Sequence, residues 1–206
     1  MDLKKALEEI RKQKKRNFDQ TIDLIVNLKK FNPKKESVNI IAKVPYKIKD
    51  KKICAFLENK SPILDTITKT EFANYKNIKD VKRLAQKYDF FIAVAKLMPA
   101  IATTFGRVLG PAKKMPSPQL GILPNEDEKM ISNIINKINS TLRIVTRDEA
   151  CIKIAIGKLS MKDEEIIDNI KAVYKEIINA LPIKKENIKN IMIKSTMGKP
   201  IKVEVK

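Results

Sequence analysis

Apolar residues are spaced in two different ways along this chain, and the switch between them limits what it can fold into. In Thr21–Leu28 they alternate, with Ile22, Leu24, Val26 and Leu28 on one side and Thr21, Asp23 and Asn27 on the other. That is a strand with one wet face. A second strand is expected at about 38–44, where Pro45 stops it. Alternation returns after Thr141, in 142–147, 151–156, 191–194 and 201–205. The first two of these can pair through a turn at Asp148-Glu149. Between the alternating regions, Ile53–Leu57 and residues 90–95 are continuous apolar runs, which suit strands buried on both faces of a parallel sheet.

Helical spacing fills the gaps. Leu3, Ala6, Leu7 and Ile10 fall on one face of a helix over 2–15, with Lys4, Lys5, Arg11, Lys12 and Lys15 on the other. Further helices are expected over 77–88 (Val81, Leu84, Ala85, Tyr88), near 97–105, and over 125–139 (Ile131, Ile134, Ile135, Ile138). A last one runs to about 180 (Ile166, Ile170, Val173, Ile177), opened by a capping box of Ser160 with Asp163. Both ends therefore read as α+β and the middle as α/β. The economical arrangement is a split α+β domain I, 1–50 and 141–206, with an α/β domain II, 51–140, inserted in it.

Charge narrows the partner. Lys and Arg number 43 against 24 Asp and Glu, a formal net charge of +19. A polyanion is the expected partner, and RNA fits better than a membrane surface, because no helix joins a basic face to exposed Trp or Phe. No apolar run approaches the ~18 residues a membrane span needs. The N-terminal stretch lacks the apolar core of a signal peptide. Cys54 and Cys151 sit within apolar runs and read as buried thiols in a reducing compartment, so a cytoplasmic protein is expected.

Catalytic chemistry is thin. The chain has no histidine, which excludes Ser-His-Asp, Cys-His and His-ligated zinc arrangements. None of its five glycines forms a phosphate-cradling loop. The carboxylates at 126–128 and 163–165 open expected helices, where they complement the helix dipole. No catalytic residue, metal or cofactor is expected, and the protein is not expected to be an enzyme. A nucleic-acid-processing enzyme built on lysine or carboxylates stays as the alternative, beside some other basic RNA-binding protein.

Three segments carry candidate contacts. Ser195-Thr196-Met197-Gly198 offers two hydroxyls, a soft apolar side chain and a residue without Cβ, and it also fits an ordinary strand-turn-strand. In 16–21 Phe18 can stack on a base, with Arg16 on phosphate and Thr21 on a backbone oxygen. Phe18 equally suits a hydrophobic staple under the first helix. The Gly- and Pro-rich loop 106–118 holds Arg107, Lys113 and Lys114, a second polyanion contact or a solvated loop.

RNFDQT (16–21), YDFFIA (88–93), GRVLGPAKKMPSP (106–118), DNIKAV (168–173) and KSTMGKP (194–200) occur in that order. Together they resemble the ribosomal protein L-one family, over nearly the whole chain and closer to archaeal and eukaryotic members than to bacterial ones. The resemblance implies a domain I made by both termini and a Rossmann-like domain II. It implies a structural protein that binds large-subunit rRNA at the mobile stalk beside the tRNA exit site and assists release of deacylated tRNA. Many members also bind their own mRNA and repress its translation. The chain would be a monomer outside the ribosome.

By motif, Phe18 and Thr21 match RNA-contacting positions, as do Thr196, Met197 and Gly198. Thr196 would make buried bonds to RNA backbone or 2′-OH, Met197 would pack on a sugar or base, and Gly198 would give clearance. Ser195 adds its hydroxyl, and Arg16 and Lys194 flank the site as phosphate contacts on charge grounds. The chain departs from the family at Ala112 and Lys113, where GPRG is usual, and at Lys199, where most members have Pro. It is also short between Leu57 and Asn77.

Overall fold

The computed structural model describes residues 1–13, 16–33, 36, 38–75, 77–118, 120–146 and 149–205. In chain order the elements are α1 (Leu3–Lys12), β1 (Thr21–Leu28), β2 (Asn39–Lys43), β3 (Ile53–Leu57), β4 (Asp65–Thr68), α2 (Ile78–Lys87), β5 (Phe90–Val94), α3 (Met98–Leu109), β6 (Ile122–Leu123), α4 (Glu128–Asn139), β7 (Thr141–Val145), β8 (Cys151–Lys158), α5 (Asp163–Ala180), β9 (Ile188–Ser195) and β10 (Ile201–Val203). The chain divides into two compact units, 1–48 with 140–206, and 49–139. The first is α+β and the second α/β.

In the first unit the strict alternation of β1 places it inside an antiparallel sheet of order β10-β9-β1-β8. Its inward residues Ile22, Leu24 and Val26 are fully buried. They join Leu3, Leu7 and Ile10 of α1 and Ile166, Ile170, Val173 and Ile177 of α5 in one core, so both helices cover the same face. Asn169 of α5 is wholly buried, and its amide is satisfied: Oδ1 accepts from Tyr46 N–H (3.1 Å), while Nδ2 donates to the carbonyls of Tyr46 (3.1 Å) and Ile156 (3.0 Å). An unpaired amide there would cost about 1–3 kcal/mol.

Two expectations fail in this unit. β7 and β8 do not pair as a hairpin: β7 pairs with β2 in a separate two-stranded sheet, and β8 pairs with β1. β8 is the outer strand of the four-stranded sheet and is held there by β1, while β7 takes β2 as its partner along five residue pairs. Of the expected turn, Asp148 lies outside the described residues, as does Lys15 of the expected first helix, which ends at Lys12. Nor does Ser160 cap α5. Its N–H and hydroxyl both donate to the Asp19 carboxylate (3.2 and 2.8 Å), and the helix starts at Asp163, with Glu165 accepting from Lys162 N–H (3.2 Å).

The second unit holds an all-parallel sheet of order β4-β3-β5-β6. Every residue of β3 is buried, as its unbroken apolar run predicts. Phe56 of β3 stacks on Phe91 and meets Phe72 edge-on and Phe105 at a tilt, while Phe72 meets Phe105 edge-on, with ring centroids 5.0–5.8 Å apart. The helix expected near 97–105 runs on to Leu109, so Gly106 and Arg107 are its last turn and not loop. Lys114, expected to face a polyanion, donates instead to the carbonyls of Ala85 and Tyr88 (2.7 and 2.8 Å) at the C-terminal end of α2, where a cation offsets the helix dipole. Between β4 and α2 lies a 3₁₀ turn, Lys69–Tyr75.

Candidate nucleic-acid interface

Where β1 begins, β9 ends. Ile22 pairs with Ser195, and the next step of the ladder joins Thr21 to Thr196. Thr196 N–H donates to Thr21 C=O (3.0 Å). The Thr196 hydroxyl closes the same pair twice, accepting from Thr21 N–H (3.2 Å) and donating to Thr21 C=O (3.1 Å). A hydroxyl has one proton and two lone pairs, so only one lone pair is left for a ligand donor. Gly198 N–H donates to Ser195 C=O (3.0 Å) and closes a turn with Thr196 and Met197 at its corners. Met197 is 63% exposed, whereas Ser195 is buried beneath the turn. Ser195, expected to present a hydroxyl, therefore supports the turn from below.

Gly198 does not have a positive φ, so its need for glycine is steric. A Cβ there would come nearer than 3.0 Å to Gln13 Oε1 and to Ser195 Oγ. The clearance expected for a ligand is taken up by the protein's own side chains. Gln13, the residue after α1, grips the next peptide: Oε1 accepts from Lys199 N–H (3.2 Å) and Nε2 donates to Lys199 C=O (3.4 Å). A proline at 199 could not make the first bond.

The segment 16–21 completes the site. Phe18 is 55% exposed, so it is not a staple beneath α1. Arg16 is exposed too. Asp19 takes no part, because Ser160 and Lys158 (3.9 Å) occupy its carboxylate. Gln20 is buried; its C=O accepts from Leu159 N–H (2.9 Å) and its Oε1 from Met197 N–H (3.4 Å). Gln13, Arg16, Gln20, Met197, Gly198 and Lys199 line an open hollow of about 270 Å³ over Ser195. Gln13, Gln20 and Lys199 are not among the contacts expected from sequence. Gln20 lies within RNFDQT and could have been, but nothing local marks Gln13.

Lys194 stands apart on the outer face of the sheet, cross-strand from Asp23. Burial pushes the Asp23 carboxyl up, and the Lys194 charge partly offsets this. Arg11 is likewise committed, its guanidinium donating to Asp163 Oδ1 (2.7 and 2.8 Å) and to the carbonyls of Leu159 and Met161 (both 2.7 Å).

The second unit has a larger hollow, of about 540 Å³, between β4 and α2. Its charges are mutually engaged: Tyr88 OH donates to Asp65 (2.6 Å), Lys60 pairs with Glu71 (3.1 Å) and Arg83 with Asp80 (3.8 Å). At the carboxyl ends of the parallel strands, where open α/β sheets bind ligands, the Glu126 carboxylate accepts from Glu58 N–H and from the Asn59 amide. Among the described residues no group of three or more acidic or cysteine side chains could hold a metal ion, and no helix is long and apolar enough to cross a membrane.

Comparison with known proteins gives one answer along the whole chain. The model of the ribosomal protein L1p/L10e family matches residues 10–199. A protein of Thermococcus kodakarensis is 34% identical over 217 residues, covering 98% of both chains. One of Nanoarchaeum equitans is 34% identical over 206 residues, 96% of this chain and 97% of its own. One of Pyrobaculum islandicum is 32% identical over 209 residues, 97% and 91%. Each carries the name large ribosomal subunit protein uL1. A split α+β unit, an α/β unit of parallel strands and a match over nearly every residue have a single reading: the chain belongs to the ribosomal protein L1p/L10e family.

Proposed function

We propose that this chain is a structural constituent of the large ribosomal subunit and binds large-subunit rRNA through the hollow at the start of β1. One observation carries the site: two large apolar side chains stand exposed, Met197 (63%) on the wall of the hollow with Arg16 and Lys199, and Phe18 (55%) two residues along the chain from Arg16. Exposed aromatic and thioether groups framed by cations suit unstacked bases and sugars flanked by phosphates. Phe18 stacks, Met197 packs on a sugar or base, and Arg16 meets phosphate. Thr196 accepts one hydrogen bond from a 2′-OH through its remaining lone pair. Ser195, Gly198, Gln13 and Gln20 shape the turn, and Lys194, balanced by Asp23, contributes a weaker charge. The relatives' ribosomal names point to work on the cytoplasmic ribosome, with no catalytic step.

Two finer roles come from the same reading. A subunit held at the stalk base by the first unit would meet exit-site tRNA. A transcript of its own that carried a similar RNA element would compete for the same hollow and be repressed.

The test is binding of the full chain to an archaeal large-subunit rRNA stalk-base fragment over a salt series, for wild type and for Phe18→Ala with Met197→Ala. The proposal expects the double variant to lose at least tenfold in affinity with its log-log salt slope kept, since neither side chain is charged. Equal binding by the two proteins refutes the site. Wild-type binding no tighter than to a scrambled RNA refutes the function.

A further inference from the structure

The end of β1 opposite the hollow carries a second basic surface. Lys29 and Lys30 follow β1, and Lys184, Lys185 and Lys189 flank the start of β9; all five are exposed. None forms an ion pair among the described residues. The neighbouring carboxylates are few. Glu186 lies in the same 3₁₀ turn and Glu36 beyond Asn32, while Glu149 is held by Lys153 (2.7 Å).

These lysines are presented by a built support. Asn187 is wholly buried between the two segments that carry them. Its C=O accepts from Lys29 N–H (2.7 Å), its Nδ2 donates to the carbonyls of Lys29 and Lys30 (3.2 and 3.3 Å), and its Oδ1 accepts from Ile183 N–H (2.7 Å). One side chain thus fixes both lysine pairs at the same edge of the unit. The backbone adds a second sign. Among the described residues only three other than glycine have positive φ, and two of them are here, Lys30 (53°) and Lys184 (51°). Glycine takes that conformation without penalty, and Asn and Asp are its other usual occupants. Lysine at both places keeps a cation where the backbone alone would favour another residue, and such outliers point toward function.

Eight residues of β1, at about 3.4 Å each, put this surface roughly 27 Å from the hollow. We propose that Lys29, Lys30, Lys184 and Lys185 form a second contact for the same RNA, reading its phosphate backbone and no base. This rests on the rRNA-binding reading above. An extended polyanion fits, because among the described residues the cluster has charge without an exposed aromatic platform or an ion-paired carboxylate.

The experiment compares wild type with K29Q/K30Q/K184Q/K185Q on the stalk-base fragment across a salt series, beside the Phe18→Ala, Met197→Ala protein. Circular dichroism and melting confirm that the quadruple variant folds. Every phosphate that the variant no longer neutralises lowers the log-log slope by roughly 0.7–0.9, so two to four such phosphates lower it by about 1.5–3.5. That fall, with preference over scrambled RNA retained, is the expected result. An unchanged slope and affinity in the quadruple variant overturns the second RNA surface while leaving the hollow standing. Loss of preference for the fragment without loss of slope also overturns it, since these lysines would then be reading bases. Wild-type protein with no preference for the fragment overturns both proposals together.

Discussion

Replacing Gly198 with alanine tests the geometry of the turn directly. The backbone there tolerates any L-residue, because φ is not positive, so the whole effect must come from the added methyl. It meets Gln13 Oε1 and Ser195 Oγ nearer than 3.0 Å. Ser195 belongs to a strand and is buried, whereas Gln13 ends in a flexible amide, so Gln13 gives way. Its withdrawal breaks the two bonds to the Lys199 peptide. At about 0.5–1.5 kcal/mol each, the turn loses roughly 1–3 kcal/mol, or about a 5- to 150-fold rise in local opening. Amide hydrogen exchange at Gly198 and Lys199, followed by NMR, reads that opening site by site. Affinity for the rRNA fragment should fall with it. In a Gln13→Ala background both Lys199 bonds are already gone, so Gly198→Ala should then cost at least ~1 kcal/mol less. An equal cost in the two backgrounds, or exchange unchanged by Gly198→Ala alone, refutes the clash with Gln13.

The remaining predictions concern single groups. Thr196→Val removes both hydroxyl bonds to the Thr21 peptide and should weaken RNA binding several-fold, with the salt slope of a titration unchanged because no charge is lost. Burial, and secondarily the nearby Asp65 charge, push the Cys54 thiol up to about 12, so a disulfide reagent at pH 8 should leave Cys54 unmodified until urea opens the second unit. Asp23, with its carboxyl raised chiefly by burial, favours folding in its neutral form. Its contribution is complete below the unfolded carboxylate value and is lost as pH rises through the higher folded one. Asp23→Asn should therefore be the more stable protein at neutral pH in urea titrations, with the advantage vanishing below roughly pH 4.

Long periodic elements were legible because burial sets their pattern. Thr21–Leu28 and Ile53–Leu57 have the bounds their apolar spacing predicts. The edge strands Asp65–Thr68 and Ile122–Leu123 are too short to show any period and were missed. Adjacency misled at β7 and β8, since a turn between two strands does not say which sheet each will join. Ser160 looked like a cap by local spacing, yet its partner Asp19 lies 141 residues away. The candidate site divides in the same way. Phe18, Thr196, Met197 and Gly198 stand within motifs, and Gln20 lies in one unmarked. Gln13 has no local signal, because its role exists only against the peptide of Lys199, 186 residues on.

The hydrogen bonds between Thr21 and Thr196 join residues 175 apart in sequence, and this sets when the hollow can exist. Its two halves, 13–20 and 195–199, are synthesised far apart in time, with the whole second unit between them. That unit is continuous in sequence and can fold first. Lys51 then ties its entry to its exit, its N–H donating to Asn139 Oδ1 (3.2 Å) and its ammonium to Ile138 C=O (2.6 Å). About half the intervening chain is removed from the search, and a doubling of loop length costs only ~0.6 kcal/mol. The insertion is thus nearly neutral at equilibrium but makes the turn at Thr196 and Met197 form late. A nascent chain that has not yet emerged as far as Lys199 lacks the hollow, so the RNA binding proposed for it would begin only after both units have been made.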